Sequence, residues 1–168
     1  MATLHLICGL PGAGKTTLAV QLEHSLPALR LTPDEWITQV LGPGPPRLAL
    51  DAARDPFEAL QWEIAARALS LGLDVILDFG FWSRAEREDF RARAAALGAG
   101  SHLHLVQASE DDLLARLALR AAERTPNTFD VSADDLRAWS SVFERPGPEE
   151  LGSRAASPAR TLLGQENE

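Results

Sequence analysis

The sequence predicts an α/β fold in which helices cover a mostly parallel sheet. Short apolar runs alternate along the chain with longer helical patterns, and several helix-capping signals follow the runs. The runs are nearly continuous in apolar residues, which is typical of strands covered on both faces. With 168 residues, of which 45% are hydrophobic, the chain is long enough for one compact core and short for two.

In the first half of the chain, the expected elements are separated by glycine and proline signals. A strand over residues 4–8 precedes a helix over 15–25, and a short strand follows over 28–31. The segment TPDE at 32–35 has an N-cap threonine, a proline at the first helical position and a capping-box glutamate, so it predicts a helix start. That helix should end at GPGPP, over residues 42–46.

The next helix should begin at DPFE, residues 55–58, and run to about Leu71, because this segment repeats the same start signal. Further elements are predicted in order: a strand over 73–77, a helix from SRAE at 83–86 to Leu97, a strand over 103–106, and helices over 109–123 and 132–143. From residue 147 the chain is rich in Pro, Gly, Ser and charge. We expect a loosely packed tail there, with residues 161–163 adding a short edge strand.

The stretch GLPGAGKTT, residues 9–17, matches the phosphate-binding pattern G-x-x-x-x-G-K-[ST] without a mismatch, between a strand and a helix. Glycines let successive backbone N–H groups point at phosphate oxygens, and the helix presents its positive end to the same anion. A lysine adds a point charge near the β and γ phosphates, and a threonine hydroxyl suits magnesium. The predicted nucleotide-binding residues are Gly9, Leu10, Pro11, Gly12, Ala13, Gly14, Lys15, Thr16 and Thr17.

Composition narrows the functional classes that use such a loop. Lys15 is the only lysine in the chain, so the Asn-Lys-x-Asp segment with which GTPase switches read guanine cannot occur elsewhere. A mechanical ATPase needs a longer module with a helical lid domain, for which 168 residues leave little room. The net charge of −8 disfavours generic binding to nucleic acids or membrane surfaces. A small phosphotransferase therefore remains the leading hypothesis.

Two acids follow predicted strands, at the edge of the sheet where the loop lies. Asp34 comes just after the second strand, and Asp78 closes the third. A carboxylate near the acceptor hydroxyl can orient it and take its proton, whereas one at a strand end near the loop can hold Mg²⁺ through water. We assign the first role to Asp34 and the second, with Thr16, to Asp78. The alternatives are a residue that favours a helix start and a strand-end turn residue.

Arginines spaced four residues apart mark a candidate lid around residues 116–131. Arg116, Arg120 and Arg124 share one face of a helix that ends in the loop ERTPNTFD. Arginines in a lid can neutralise the transferring phosphoryl group while closure excludes water. Arg120 and Arg124 are the predicted catalytic pair, whereas Arg116 is as well explained by an exposed ion pair with Asp112.

With these parts in order, the chain resembles the small P-loop kinases of the AAA-type ATP-binding family, relatives of polynucleotide 5′-kinases, chloramphenicol phosphotransferase and zeta-toxin kinases. The resemblance rests on GLPGAGKTT, PDEW, VILDFGFWSRAERE, RLALRAAER and FERP, and covers residues 3–146. It implies five parallel strands with a helical lid, Asp34 as the base, Asp78 near the metal, and Arg120 with Arg124 in the lid. Polynucleotide kinases commonly carry an arginine one turn after the base, where this chain has Ile37 and Thr38.

The acceptor site is predicted less sharply. Trp36 and Trp82 closely follow Asp34 and Asp78, so they could form the wall of an acceptor pocket. Arg84 and Arg87 could bind an anionic acceptor. The alternatives are packing for the tryptophans and a polar helix face for the arginines, and Trp62 and Trp139 are interpreted as packing residues. His102 and His104 share a strand face without acidic or cysteine partners, so no metal site is predicted there.

The sequence thus predicts a kinase domain over residues 1–146 and a tail over 147–168. Its expected activity is ATP- and Mg²⁺-dependent transfer of the γ-phosphate to a hydroxyl of a small molecule. A polynucleotide 5′-hydroxyl kinase and a non-catalytic nucleotide-binding module stay open as alternatives. The chain has neither a signal peptide nor an apolar run of about 20 residues, so a cytoplasmic protein without a membrane partner is expected.

Overall fold

A computed structural model describes residues 1–42, 47–123 and 131–155. In this part of the chain, strands and helices alternate around one sheet, as the sequence predicts. The strands are β1 (Thr3–Cys8), β2 (Ala28–Leu31), β3 (Asp74–Gly80), β4 (Gly100–Leu105) and β5 (Gly152–Arg154). The helices are α1 (Lys15–Ser25), α2 (Pro33–Leu41), α3 (Arg47–Ser70), α4 (Arg84–Ala96), α5 (Glu110–Glu123) and α6 (Ala133–Val142).

The sheet has the order β2-β3-β1-β4-β5, with β1 at its centre. The first four strands are parallel, and only β5 runs antiparallel to its neighbour β4. The carboxyl ends of the parallel strands therefore meet at one edge, which is where open α/β sheets bind ligands. The predicted α/β/α fold with a mostly parallel sheet of five strands is confirmed.

Both faces of the central strands are buried, which explains their continuous apolar sequences. Leu4, Leu6 and Leu77 pack with Phe90 of α4 on one face, and Ile7 packs with Ile76 and Ala19 of α1 on the other. Helices on both faces also satisfy the requirement that a parallel sheet be covered. Among the described residues, no helix is both long enough and apolar enough to cross a membrane.

Three element boundaries differ from the prediction because tertiary packing overrides local signals. The helix expected from residue 55 begins at Arg47, so Pro56 lies inside α3. A proline inside a helix removes one N–H donor and crowds the preceding turn, but the segment before Pro56 is rich in helix-forming Ala, Leu and Arg, which favour continuing the helix. The strand β3 continues to Gly80 rather than ending at Leu77, and β4 already begins at Gly100.

The capping box expected at residues 32–35 is also absent. Thr32 caps α2 by its position alone, without a side-chain hydrogen bond to the helix. The Glu35 carboxylate instead accepts a hydrogen bond from Arg30 at 2.7 Å, and the same guanidinium group donates to the Thr32 hydroxyl at 2.7 Å. Arg30 of β2 therefore binds both of the side chains, Thr32 and Glu35, that were expected to form the capping box.

The described part of the C-terminal segment packs more closely than expected for a loose tail. Gly152–Arg154 forms the edge strand β5, and Glu150 just before it is only 2% exposed. Glu150 is held by Arg87 of α4, a long-range partner that local composition does not reveal. The edge strand predicted at 161–163 lies outside the described residues.

Candidate active site

The glycine loop connects β1 to α1 with the backbone geometry that phosphate binding requires. Gly12 and Gly14 have φ angles of 82° and 106°, and Gly14 is the N-cap of α1. Gly9 has φ of 154°, and a Cβ atom there would lie 2.5 Å from the Val106 carbonyl oxygen. The loop therefore needs glycine both for its conformation and for its close approach to the end of β4.

Lys15 begins α1 beside two acids. Its Nζ donates a hydrogen bond to the Leu10 carbonyl at 3.1 Å, so the ammonium group folds back over the loop. Loss of water around it lowers the pKa of Lys15, and the charges of Asp78 and Asp34 oppose that shift. The ammonium group thus lies over the glycine loop and near two carboxylates.

Thr16 and Asp78 meet at the floor of the site. The Thr16 hydroxyl donates to Oδ2 of Asp78 at 2.7 Å, and Oδ1 of Asp78 is buried without a hydrogen-bond partner among the described residues. Burial raises the pKa of Asp78 to about 6, against the effects of Lys15 and Thr16. A hydroxyl beside an unsatisfied carboxylate oxygen is the oxygen donor set that Mg²⁺ prefers, so these residues fit the metal.

Asp34 lies in the first turn of α2, immediately after β2. Its Oδ1 accepts a hydrogen bond from Nη2 of Arg54 at 2.7 Å, and Nη1 of the same guanidinium lies 3.4 Å from Oε1 of Glu58. Arg54 and Glu58 come from α3 and were not among the predicted site residues. Arg54 lies before Pro56, where the sequence led us to expect no helix, whereas Glu58 lies in the predicted helix and was interpreted only as part of its start signal.

These groups line a single cavity of about 910 Å³ at the carboxyl edge of the sheet. That volume falls within the range of small-molecule and cofactor sites. The glycine loop and the start of α1 form one side, and α3 with the turn after β3 forms the other. The lining residues include Lys15, Thr16, Asp34, Arg54, Glu58, Asp78, Trp82, Glu86, Arg120 and Trp139.

The turn after β3 brings Trp82 into this cavity. Gly80 has φ of 101° and Phe81 of 48°, so the chain reverses sharply at these two residues. The Trp82 indole N–H donates to the Gly9 carbonyl at 3.3 Å, which joins this turn to the glycine loop. Arg87 holds the turn from below, because its Nη1 donates to the carbonyls of Phe81 at 3.1 Å and Trp82 at 3.3 Å.

Some residues predicted to bind the acceptor lie elsewhere. Arg87 is fully buried in its ion pair with Glu150, and Arg84 lies outside the cavity with its guanidinium 3.3 Å from Glu149. Trp36 packs against the main core cluster, whereas Trp139, which we interpreted as a packing residue, lines the cavity beside Trp82. Tertiary packing thus turns Trp36 and Arg87 towards the interior, whereas Arg84 is exposed to solvent.

Of the two predicted lid arginines that the structure describes, Arg120 lines the cavity and Arg116 does not. Nη1 of Arg116 donates to the carbonyls of Gly12 at 3.3 Å and Ala13 at 3.1 Å, which fixes α5 to the glycine loop. The alternative partner for Arg116, Asp112, instead exchanges hydrogen bonds with Ser109. Arg124 and most of the loop after it lie outside the described residues.

The fold is shared with solved structures of other proteins. A protein of Chloroflexus aurantiacus proposed to be a kinase matches with a TM-score of 0.69 at 23% identity, over 82% of this chain and 74% of the other. Kti12 of Chaetomium thermophilum, solved with ADP-AlF3, matches with a TM-score of 0.66 at 20% identity, over 87% and 82%. A gluconokinase of Sinorhizobium meliloti matches with a TM-score of 0.59 at 18% identity, over 88% and 78%.

A search of curated proteins finds no match to this chain. The model of the AAA domain family, by contrast, matches residues 4–146. That range contains the glycine loop, Asp34, Asp78, the turn at Trp82 and the whole cavity. The chain therefore belongs to the AAA domain family, with the fold of small P-loop kinases.

Proposed function

We propose that residues 1–146 form an ATP- and Mg²⁺-dependent kinase that transfers the γ-phosphate to a hydroxyl of a small molecule. One observation carries this proposal: the phosphate loop, the Thr16–Asp78 pair and Asp34 line the same cavity. A nucleotide-binding module needs only the first two features. A carboxylate across the cavity from the loop is what an acceptor hydroxyl requires.

In the proposed mechanism, the loop N–H groups and Lys15 hold the triphosphate, and Thr16 with Asp78 would hold Mg²⁺. The metal would neutralise charge on the phosphate oxygens. Asp34 orients the acceptor hydroxyl and takes its proton, while the hydrogen bond from Arg54 fixes the direction of that carboxylate. Arg120 faces the cavity from α5 and stabilises charge on the transferring group. We retain Arg124 as a second arginine of a lid around 116–131.

The neighbouring structures support the two halves of this proposal at the level of fold. The complex of Kti12 with ADP-AlF3 supports a nucleotide in the loop, and the gluconokinase supports a small acceptor opposite it. Among the described residues that line the cavity, carboxylates outnumber guanidinium groups, which does not favour the polynucleotide alternative. A phosphodiester chain requires the opposite balance of charge.

The decisive experiment compares ATP turnover by the wild type and by Asp34→Asn across a panel of hydroxyl acceptors. We expect at least one acceptor to raise ADP release above the basal rate, and Asp34→Asn to lower kcat with that acceptor about 100-fold or more. Asp111→Asn, an exposed acid in the first turn of α5, is the matched control and should match the wild type. If no acceptor stimulates turnover and Asp34→Asn behaves like the control, the kinase proposal fails.

Nucleotide binding is measured separately with a fluorescent ATP analogue. Lys15→Ala should weaken or abolish that binding, because Lys15 is the cation nearest the expected phosphates. Asp34→Asn should leave it near the wild-type level. A protein that binds ATP but transfers nothing, with or without Asp34, would be the regulatory module.

A further inference from the structure

The cavity has two halves of opposite charge. The half around Asp34 is acidic, and its charge bears on the kind of acceptor that the proposed kinase binds. Lys15 and Arg120 lie on the nucleotide side. The side facing Asp34 carries additional carboxylates on α3 and α4, with one guanidinium among them. Apart from Asp78, the carboxylates that line the cavity are those of Asp34, Glu35, Asp51, Asp55, Glu58 and Glu86, and the guanidinium among them is that of Arg54.

Arg54 does not neutralise this half of the cavity. Its close hydrogen bond, at 2.7 Å, is to Asp34, and its contact with Glu58 is longer, at 3.4 Å. The Glu58 side chain is only 18% exposed, so little water screens its charge. Burial raises the pKa of Glu58 to about 7, against the charge of Arg54, and the charges of Glu86 and Asp55 raise it further. Carboxylates that repel one another in a part-buried site favour a cationic ligand.

Two tryptophan rings also line the cavity. Glu86 lies in the first turn of α4, where its backbone N–H donates to the Ser83 hydroxyl at 3.1 Å. The Trp82 and Trp139 rings lie 5.7 Å apart at 51° to each other, and both line the cavity. Tryptophan faces next to carboxylates are the usual environment for a bound ammonium group.

An independent feature marks the same cavity as a ligand site. Asp78 is only 6% exposed, and its Oδ1 has no hydrogen-bond partner among the described residues, although the residue lines the cavity. A buried carboxylate oxygen without a partner is costly unless a ligand or ion completes it. The acids of the acceptor half therefore line a cavity built to hold a ligand, unlike an isolated acidic patch.

We propose that the acceptor of this kinase is an amine-bearing polyol, such as an amino sugar or aminocyclitol, whose ammonium group binds between Glu58, Glu86 and Trp82. The inference rests on the proposed function. The acceptor hydroxyl oxygen forms a bond to the γ-phosphorus as the bond to the leaving oxygen of ADP breaks. ADP leaves with that electron pair, and the hydroxyl proton passes to Asp34 and then to solvent.

The test uses three cyclohexane polyols of similar size that differ in charge: 2-deoxystreptamine as the ammonium probe, myo-inositol as the neutral one and quinate as the anionic one. Binding of each to the full chain is measured by calorimetry with ADP and Mg²⁺ present. Transfer from ATP is followed separately, by mass spectrometry of the product. Glu58→Gln is compared with Glu63→Gln, an exposed glutamate on the same helix that does not line the cavity.

We expect 2-deoxystreptamine to bind at least tenfold more tightly than the other two and to be the one phosphorylated. Glu58→Gln should raise its Kd and KM about tenfold while changing kcat less than twofold, and Glu63→Gln should change neither constant. The amine proposal is overturned if myo-inositol or quinate binds as tightly, if the ammonium probe does not bind, or if Glu58→Gln leaves its Kd unchanged.

The two proposals fail separately in this design. Glu58-dependent binding of the ammonium probe without transfer to any acceptor would refute the kinase and retain the ligand class. Phosphorylation of myo-inositol or quinate in preference to the amine would retain the kinase and refute the ligand class.

Discussion

The buried ion pair between Arg87 and Glu150 joins the C-terminal segment to the wall of the cavity, and it permits a quantitative prediction. Arg87 is fully buried, and Glu150 is 2% exposed. The contact is bidentate, with Nε to Oε2 at 2.8 Å and Nη2 to Oε1 at 3.1 Å, and the hydrogen bonds from Arg87 lower the pKa of Glu150. The two residues are 63 positions apart in the sequence, so their ion pair is a long-range tertiary contact.

Glu150→Gln leaves the Arg87 guanidinium buried without a counter-charge. Breaking a buried pair in this way costs about 3–5 kcal/mol of the free energy of unfolding. For a domain of this size, each kcal/mol corresponds to about 2–4 °C, so Tm should fall by about 6–20 °C. Because Arg87 also holds the Phe81 and Trp82 carbonyls, the same substitution should weaken ligand binding in the cavity.

The assay is urea and thermal unfolding of the wild type and Glu150→Gln, followed by circular dichroism. The control is Asp89→Asn, which removes an exposed i,i+4 pair with Arg93 on the same helix and should change stability by less than about 0.5 kcal/mol. The double variant Arg87→Met/Glu150→Leu should recover part of the loss, because it leaves no unpaired buried charge but removes the donor to the Phe81 and Trp82 carbonyls. A change below about 1 kcal/mol for Glu150→Gln would refute the reasoning.

Three further predictions follow from the site and the sheet. Asp78→Asn should weaken Mg²⁺-dependent nucleotide binding by tenfold or more while leaving metal-free binding nearly unchanged, as measured by titration with and without Mg²⁺. Gly9→Ala should lower the free energy of unfolding by about 1–3 kcal/mol more than Gly72→Ala. Both glycines have positive φ, but only at Gly9 would the new Cβ atom lie 2.5 Å from a carbonyl oxygen, that of Val106. Equal unfolding midpoints for the two variants would contradict this. Burial, and then the charges of His102 and His5, lower the pKa of His104 to about 4. Because the unfolded chain takes up this proton near pH 6.5, the free energy of unfolding should be highest above pH 6.5 and should fall as the pH drops towards 4. In unfolding curves measured across this range, His104→Gln should make that fall smaller.

The fold was predictable from sequence because its signals are local and strong. Continuous apolar strands, the helix caps at Ser83 and Ser132 and the glycine loop each act within a few residues. The same locality explains the nucleotide half of the site, since residues 9–17 contain the whole loop and α1 follows directly. Asp34 and Asp78 were found because parallel strands end at one edge.

The acceptor half depended on contacts that no local pattern contains. Arg54 meets Asp34 across 20 residues only because α3 begins before Pro56, and helix propensity with packing outweighed the proline signal there. Arg87 and Arg84 could not be separated from pocket residues by sequence, because which face of α4 is buried depends on where Glu150 returns to the sheet. The sequence alone therefore determined the fold and the phosphate site, whose determinants are contiguous. The tertiary structure decided the charge and the walls of the acceptor site, because residues from α2, α3, α4 and α6 meet there only after the sheet has formed.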